Sequence, residues 1–205
     1  VQFGTTQGDR IDGIAVDSSG NIFVAGTAGP LTSDSISGVF VRGYDSSGNV
    51  LSTYQYNVWS IKSFSLSSSG DMFMTGTFWG SFLGESGFGN YDVFILKIDS
   101  SGTVLSKKVI GTTGADQAYG AYLTSTNELY VVGSTDGTFP GEYLFGFYDA
   151  YVAKINATSM DTISITQHGG SDLDEFFAVT RKRNMEVVAV GRTAGHFRGT
   201  TSSGN

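Results

Sequence analysis

Short apolar segments alternate with polar turns along the whole chain. Apolar segments at 13–16 and 22–26 flank the turn Asp17-Ser-Ser-Gly-Asn21, and a second pair at 39–44 and 50–56 flanks the identical turn Asp45-Ser-Ser-Gly-Asn49. Asp and Asn side chains cap such turns, and Gly supplies the positive φ that a tight reversal needs. Each pair of segments therefore predicts an antiparallel hairpin, and two successive hairpins predict a four-stranded meander.

The first hairpin of this pattern occurs four times, and each copy ends on a glycine. These closing glycines are Gly26, Gly76, Gly133 and Gly191, spaced 50, 57 and 58 residues apart. Copies at such a period bury their sheet faces by stacking on one another. We predict an all-β chain, a β-propeller of four-stranded antiparallel meander blades with three full blades and a partial fourth. The approximate units are 1–56, 57–110, 111–167 and 168–205.

The repeated residues also resemble a known family. The pattern Gly13-x-Ala-Val-Asp-x-x-Gly-Asn-x-Phe-Val-x-Gly26, with Tyr148-Asp-Ala-Tyr-Val-Ala-Lys-Ile155 in a later unit, is similar to the bacterial SBBP repeat, a seven-bladed β-propeller repeat. The resemblance runs through four units, of which the second and fourth are more degenerate. It implies a propeller that is exported or on the cell surface, within long multidomain proteins, and it implies no shared catalytic site.

Composition excludes several classes of function. The chain has 19 acidic and 12 basic residues, a net charge of −7, which argues against binding to nucleic acid or to anionic membranes. No apolar run approaches the length of a membrane-spanning helix. Because cysteine is absent, disulfides, thiolate nucleophiles and zinc–thiolate sites are excluded. The chain begins at Val1 without a signal segment, so we expect a processed or partial product.

Residues that could support catalysis are few and scattered. His168 and His196 are the only histidines, and neither lies in a recognised catalytic motif. Glu85, Glu142 and Asp149 could form a carboxylate pair across adjacent blades, but solvated loop acids are the simpler interpretation. We therefore expect no enzyme and no cofactor. The recurring aspartates lack the dense spacing of calcium ligands and are interpreted as turn caps: Asp9, Asp116 and either Asp172 or Asp174.

The longer links between strands gather at the end of the blades opposite the Asp-Ser-Ser-Gly turns, and this is the end we expect to bind. Its candidate contacts for a ligand or partner are Trp79, Phe82, Phe139 and Phe197. The three phenylalanines repeat, which favours packing over ligand contact. Trp79 is not shared between copies and could stack on a sugar or anchor a partner. Trp59 replaces a glycine-rich link and is interpreted as filling the gap that the link leaves.

The copy count leaves strand edges open in the predicted ring, starting with Val1-Gln-Phe3, which we interpret as the end of an outermost strand. Either more chain completes the ring, or subunits complete each other by strand exchange or assembly. We expect a structural or protein-interaction propeller, with self-assembly or protein partners at strand edges and loops. The alternative is a propeller that binds carbohydrate or another ligand through its loop aromatics.

One modification site is also predicted. Asn156-Ala-Thr158 is the only Asn-x-Ser/Thr sequon, and it lies on a predicted exposed turn. It is a candidate for N-glycosylation if the protein is exported by a eukaryote.

Overall fold

The computed structural model describes residues 3–32, 37–183 and 186–195, and within them every regular element is a β-strand. The fourteen strands, in chain order, are β1 (Arg10–Val16), β2 (Ile22–Ala28), β3 (Gly38–Tyr44), β4 (Val50–Tyr56), β5 (Ser63–Leu66), β6 (Met72–Phe82), β7 (Glu85–Ile98), β8 (Val104–Ile110), β9 (Asp116–Leu123), β10 (Glu128–Thr135), β11 (Asp149–Asn156), β12 (Thr162–His168), β13 (Asp174–Arg181) and β14 (Val187–Thr193).

These strands form four antiparallel sheets in simple meander order. The first sheet holds β1–β4, the second β5–β8, the third β9–β12, and the fourth holds β13 and β14. The all-β class and the hairpin pairing predicted from the alternating pattern are confirmed.

The polar turns have the chemistry that their sequence predicts. In the first hairpin, Asp17 Oδ1 accepts hydrogen bonds from the backbone N–H groups of Ser19 and Asn21, both at 2.8 Å. Gly20 takes a φ of 84°, the left-handed region that glycine tolerates best. A hydrogen bond from the Asn21 side chain is the main reason that the pKa of Asp17 is lowered. The same cap recurs at Asp45 and Asp99.

The sheets pack face to face, and their first strands lie side by side. Strand β1 contacts β5, β5 contacts β9, and β9 contacts β13. One core fills the space between the first two sheets, with Phe94 and Leu96 at its centre. A second core lies between the second and third sheets around Tyr151, whose buried hydroxyl donates to the carbonyl of Gln117 at 3.1 Å. Where two sheets face each other, their apolar faces are thus covered, as the repeat pattern predicts.

At each closing glycine, a backbone carbonyl of the preceding strand or link occupies the place of a side chain. A Cβ added to Gly133 would lie 1.7 Å from the carbonyl oxygen of Gln117, a distance no real contact allows. A Cβ added to the equivalent glycines would likewise lie 1.9 Å from the carbonyl oxygen of Arg10 at Gly26, 2.4 Å from that of Ser60 at Gly76 and 1.7 Å from that of Glu175 at Gly191. Every copy needs glycine here because a backbone atom occupies the place of its side chain.

Two details differ from the sequence-based prediction. Phe3 lies in no strand; its ring packs edge-on against Phe40 at 5.5 Å, while residues 1 and 2 lie outside the described residues. Residues 77–82 are not a loop, since β6 continues to Phe82 and pairs with a lengthened β7. The turn between them places both Leu83 and Gly84 at positive φ.

Candidate functional site

Two aspartates hold the link that enters the third sheet. The Asp116 carboxylate accepts hydrogen bonds from the Thr112 backbone N–H at 2.6 Å and from its hydroxyl at 3.0 Å. Asp136, which follows β10, accepts a hydrogen bond from the backbone N–H of Ala115. Together they fix residues 111–115 across the end of the sheet.

The buried carboxylates of Asp116 and Asp149 are costly to ionise. Burial raises the pKa of Asp116 above its usual range, and the nearby Asp92 carboxylate adds to the effect. Burial likewise raises the pKa of Asp149, although its carboxylate accepts hydrogen bonds from the Phe145 and Gly146 backbone N–H groups. For an acid whose pKa is higher in the folded protein than in the unfolded chain, folding is favoured by protonation. Stability is therefore lost as pH rises through the raised pKa.

We expect Asp116→Asn to remove part of this pH dependence. The amide cannot ionise. The variant should therefore become more stable relative to wild type as pH rises from about 4 toward neutral, which means that the difference in free energy of unfolding, variant minus wild type, increases. Urea denaturation at a series of pH values measures the difference. Asp172→Asn, which changes an exposed carboxyl, is the control and should give a curve parallel to wild type. A parallel curve for Asp116→Asn as well would show that the buried carboxylate does not oppose folding.

In the second sheet, the segment that leads to the position of Asp116 is shorter, and neither of these two positions holds an aspartate. Only residues 57 and 58 separate β4 from Trp59, whereas residues 111–115 separate β8 from Asp116. The carbonyl of Ser60 faces Gly76 just as the carbonyl of Gln117 faces Gly133, so Trp59 occupies the position of Asp116. Trp79 follows Gly76 by three residues, as Asp136 follows Gly133. Both link-holding carboxylates are thus replaced by tryptophan.

A groove of about 710 Å³ opens where the longer link would run. Its three aromatic walls are Trp59, Trp79 and Tyr91, which are 87%, 72% and 49% exposed. Its base is made by the buried side chains of Val58, Phe78 and Phe82, and its polar lining residues are Asn57, Ser60, Lys62, Thr77, Ser81 and Gln117. A concave site of this volume, apolar at its base with a few polar groups, has the size and character of a small-molecule site.

Some polar groups of the groove already form hydrogen bonds within the protein, and others can donate to a ligand. Ser60 Oγ accepts a hydrogen bond from the Arg10 guanidinium at 2.8 Å. Gln117 Oε1 accepts one from the Tyr119 hydroxyl at 3.1 Å, which leaves its amide NH₂ as a donor. Lys62 is exposed, and within the described ranges no carboxylate forms an ion pair with it. The groove therefore offers donors beside its aromatic faces.

The predicted contact residues divide between the groove and the core. Trp79 forms an exposed wall of the groove, whereas Phe82 lies at its base and stacks on Phe94 with ring centroids 4.4 Å apart. Phe139 is 1% exposed and packs against Tyr151 in the core of the third sheet. The burial of these phenylalanines favours the packing interpretation. Phe197 lies outside the described residues, as does His196.

The prediction that Trp59 fills the gap left by a missing link is wrong. Its side chain is 87% exposed, so the indole borders the open space instead of filling it. The physical reason is that only residues 57 and 58 lie between β4 and Trp59, so no further backbone passes over the ring.

The residues predicted as a possible carboxylate pair each have a partner of their own. Glu85 forms an ion pair with Lys107 at 2.9 Å, and Glu142 accepts a hydrogen bond from the Gln167 backbone N–H at 3.2 Å. His168 lies 3.2 Å from the Thr166 hydroxyl. In the part of the chain that the structure describes, His, Asp and Glu form no group of three or more that could hold a metal ion.

The sequon lies where β11 ends. Asn156 is half-buried, and its Oδ1 accepts hydrogen bonds from the backbone N–H groups of Thr158 and Ser159 at 2.9 and 3.1 Å. It thus caps its turn as Asp17 and Asp99 cap theirs. Glycosylation at Asn156 stays a prediction.

Comparison with known proteins supports the repeat assignment at the start of the chain. Residues 1–29 match the SBBP family, described as a beta-propeller repeat. The SBBP resemblance noted in the sequence is confirmed over this segment, which contains the first closing glycine. No curated protein matches the chain. In the described residues no helix is long and apolar enough to cross a membrane.

The SBBP repeat pattern contains the signal that would have identified Trp59 as a groove residue. Counting back from the closing glycine through the first strand of each sheet brings Trp59 to the position of Asp9, Asp116 and Asp174. Each of these four residues stands 17 positions before the closing glycine of its unit. The equivalence of Trp59 with these aspartates is therefore visible from the spacing in the sequence.

Proposed function

We propose that the chain is part of an extracellular β-propeller that serves as a rigid scaffold for protein contacts and does not act as an enzyme. The order of contacts among β1, β5, β9 and β13 supports a propeller, since the first strands of radially stacked blades lie side by side around a centre. The SBBP match supports the same architecture. The extracellular location is inferred from the family resemblance.

The observation that carries the proposal is the apolar surface on both end sheets. On the first sheet, Ile14 and Val16 are 66% and 61% exposed, on the face turned away from the second sheet. On the fourth sheet, Val190 is 57% exposed, on the face opposite to Ala189, which borders the third sheet. Exposed apolar sheet faces mark places where another sheet packs.

Among the described strands, the outer edge of the fourth sheet has no paired neighbour, which supports the same role. Strand β14 pairs with β13 on one side, and among the described strands none pairs with its other side. An open edge presents backbone donors and acceptors to an added strand. Self-assembly, or pairing with a partner that adds β-structure, would cover the edge and the apolar faces together.

Light scattering over a range of protein concentrations tests this proposal. We expect native masses that are multiples of the 21.7 kDa chain. Because a lysine ammonium is costly to bury, Val190→Lys should raise the concentration needed for association at least about tenfold. The control is Val104→Lys on β8, in a sheet that has neighbours on both faces. A monomer at every concentration, unchanged by Val190→Lys, would contradict self-assembly.

A further inference from the structure

We propose that the groove between Trp59 and Trp79 binds an oligosaccharide, with sugar rings stacked on the two indoles. This inference goes beyond the scaffold role. Every residue that lines the groove belongs to the second sheet, to the link that enters it or, for Gln117, to the third sheet. The site is therefore independent of whether the end faces assemble.

Neither tryptophan is required by the repeated fold. The third sheet folds with Asp116 and Asp136 at the equivalent positions, where they hold the link. In the second sheet the side chains at both positions are largely exposed and face one cavity. Tryptophan is usually well buried, so two exposed indoles on one concave surface indicate a binding surface.

The lining chemistry fits a hydroxylated ligand with apolar faces. The electron-rich face of an indole attracts the weakly positive C–H groups on one side of a pyranose ring. Hydroxyl groups at the ring edge need donors and acceptors, which Asn57, Ser81 and Gln117 offer around the aromatic walls. Lys62 adds three donors and a positive charge, which would also suit a uronic acid. A purely apolar ligand would leave these polar groups unpaired.

Two other ligand classes fit less well. Nucleic acid bases stack on aromatic side chains, but binding a nucleic acid strand also requires a basic surface, and the chain has a net charge of −7. Proline-rich peptides dock on aromatic-lined grooves. The groove, however, has six polar lining residues, and its volume of about 710 Å³ falls in the range of small-molecule sites. An oligosaccharide matches both properties.

Intrinsic fluorescence gives a direct measurement because Trp59 and Trp79 are the only tryptophans in the chain. Every change in tryptophan emission therefore reports on this groove. Short oligosaccharides of glucose, galactose, N-acetylglucosamine and uronic acids, first screened on a glycan array, are the probes. Binding should shift the emission of the exposed indoles to shorter wavelength, in a saturable manner.

Single variants then assign the contacts. Trp59→Ala and Trp79→Ala should each weaken the affinity for the best saccharide at least about tenfold, measured by calorimetry. Both side chains are exposed, so melting temperatures should stay near that of wild type. Phe147→Ala is the matched control, since this aromatic side chain is 75% exposed and does not line the groove. Its affinity should equal that of wild type.

Three results would overturn the proposal. The first is that no array saccharide changes the fluorescence up to millimolar concentration. The second is a saccharide whose affinity is unchanged in both tryptophan variants, which would place its site elsewhere. The third is a shift in emission with a proline-rich peptide and with no sugar, which would assign the groove to peptides.

Discussion

Replacing Gly133 by alanine should destabilise the protein by about 3 kcal/mol. The added methyl would lie 1.7 Å from the carbonyl oxygen of Gln117 and 3.1 Å from Cα of Ala118. Both are backbone atoms of the neighbouring strand β9, so no side-chain rotation relieves the overlap. The strands would have to separate at the edge of the buried Tyr151 core. Urea denaturation followed by circular dichroism measures the change.

Gly8→Ala is the matched control, because no atom lies within 4 Å of the added methyl. Its free energy of unfolding should differ from wild type by less than about 0.5 kcal/mol. A loss of less than about 1 kcal/mol for Gly133→Ala would show that the strands can part at this position without cost. The recurrence of Gly26, Gly76 and Gly191 would then need another explanation.

The meander was predictable because its signals are local and repeated. Each Asp-Ser-Ser-Gly turn carries its own cap and its own positive-φ glycine, so the hairpins follow from a few adjacent residues. The closing glycines were visible as a repeat, but their reason lies in a contact between two strands. Sequence shows that Gly133 recurs, and only the structure shows which carbonyl it faces.

The long hairpin of β6 and β7 could not be predicted from local signals. Residues 84–90 include three glycines, which weaken a strand, and the turn residue Leu83 has a positive φ that leucine rarely adopts. Pairing of Trp79 with Tyr91 continues the ladder beyond the point where the sequence indicates a loop. Context from the neighbouring strand overrides the preference of the glycines.

The candidate groove was only half visible in the sequence. Trp79 stood out because the other copies lack an aromatic residue at its position. Trp59 did not, since its role depends on a link too short to cover it. The constant spacing to the closing glycine places Trp59 at the position of Asp116, but only the structure shows that its side chain borders an open groove.

Phe139→Ala should cost about 3 to 5 kcal/mol of stability, the range for removing a buried phenylalanine. Its side chain is 1% exposed, packs on Tyr151 with ring centroids 5.4 Å apart, and belongs to the core between the second and third sheets. The truncation would leave a cavity that the rigid strands cannot close. Phe147→Ala, at a 75% exposed position, should change stability by less than about 0.5 kcal/mol.

The same pair of variants separates packing from binding. If Phe139 packs the end of the blade, its loss lowers the free energy of unfolding and leaves the affinity of the groove unchanged, because Phe139 does not line it. A stable Phe139→Ala variant with weakened ligand binding would reverse this assignment. It would mean that a recurring aromatic residue serves recognition, and that the structural role of the repeated phenylalanines is smaller than their burial indicates.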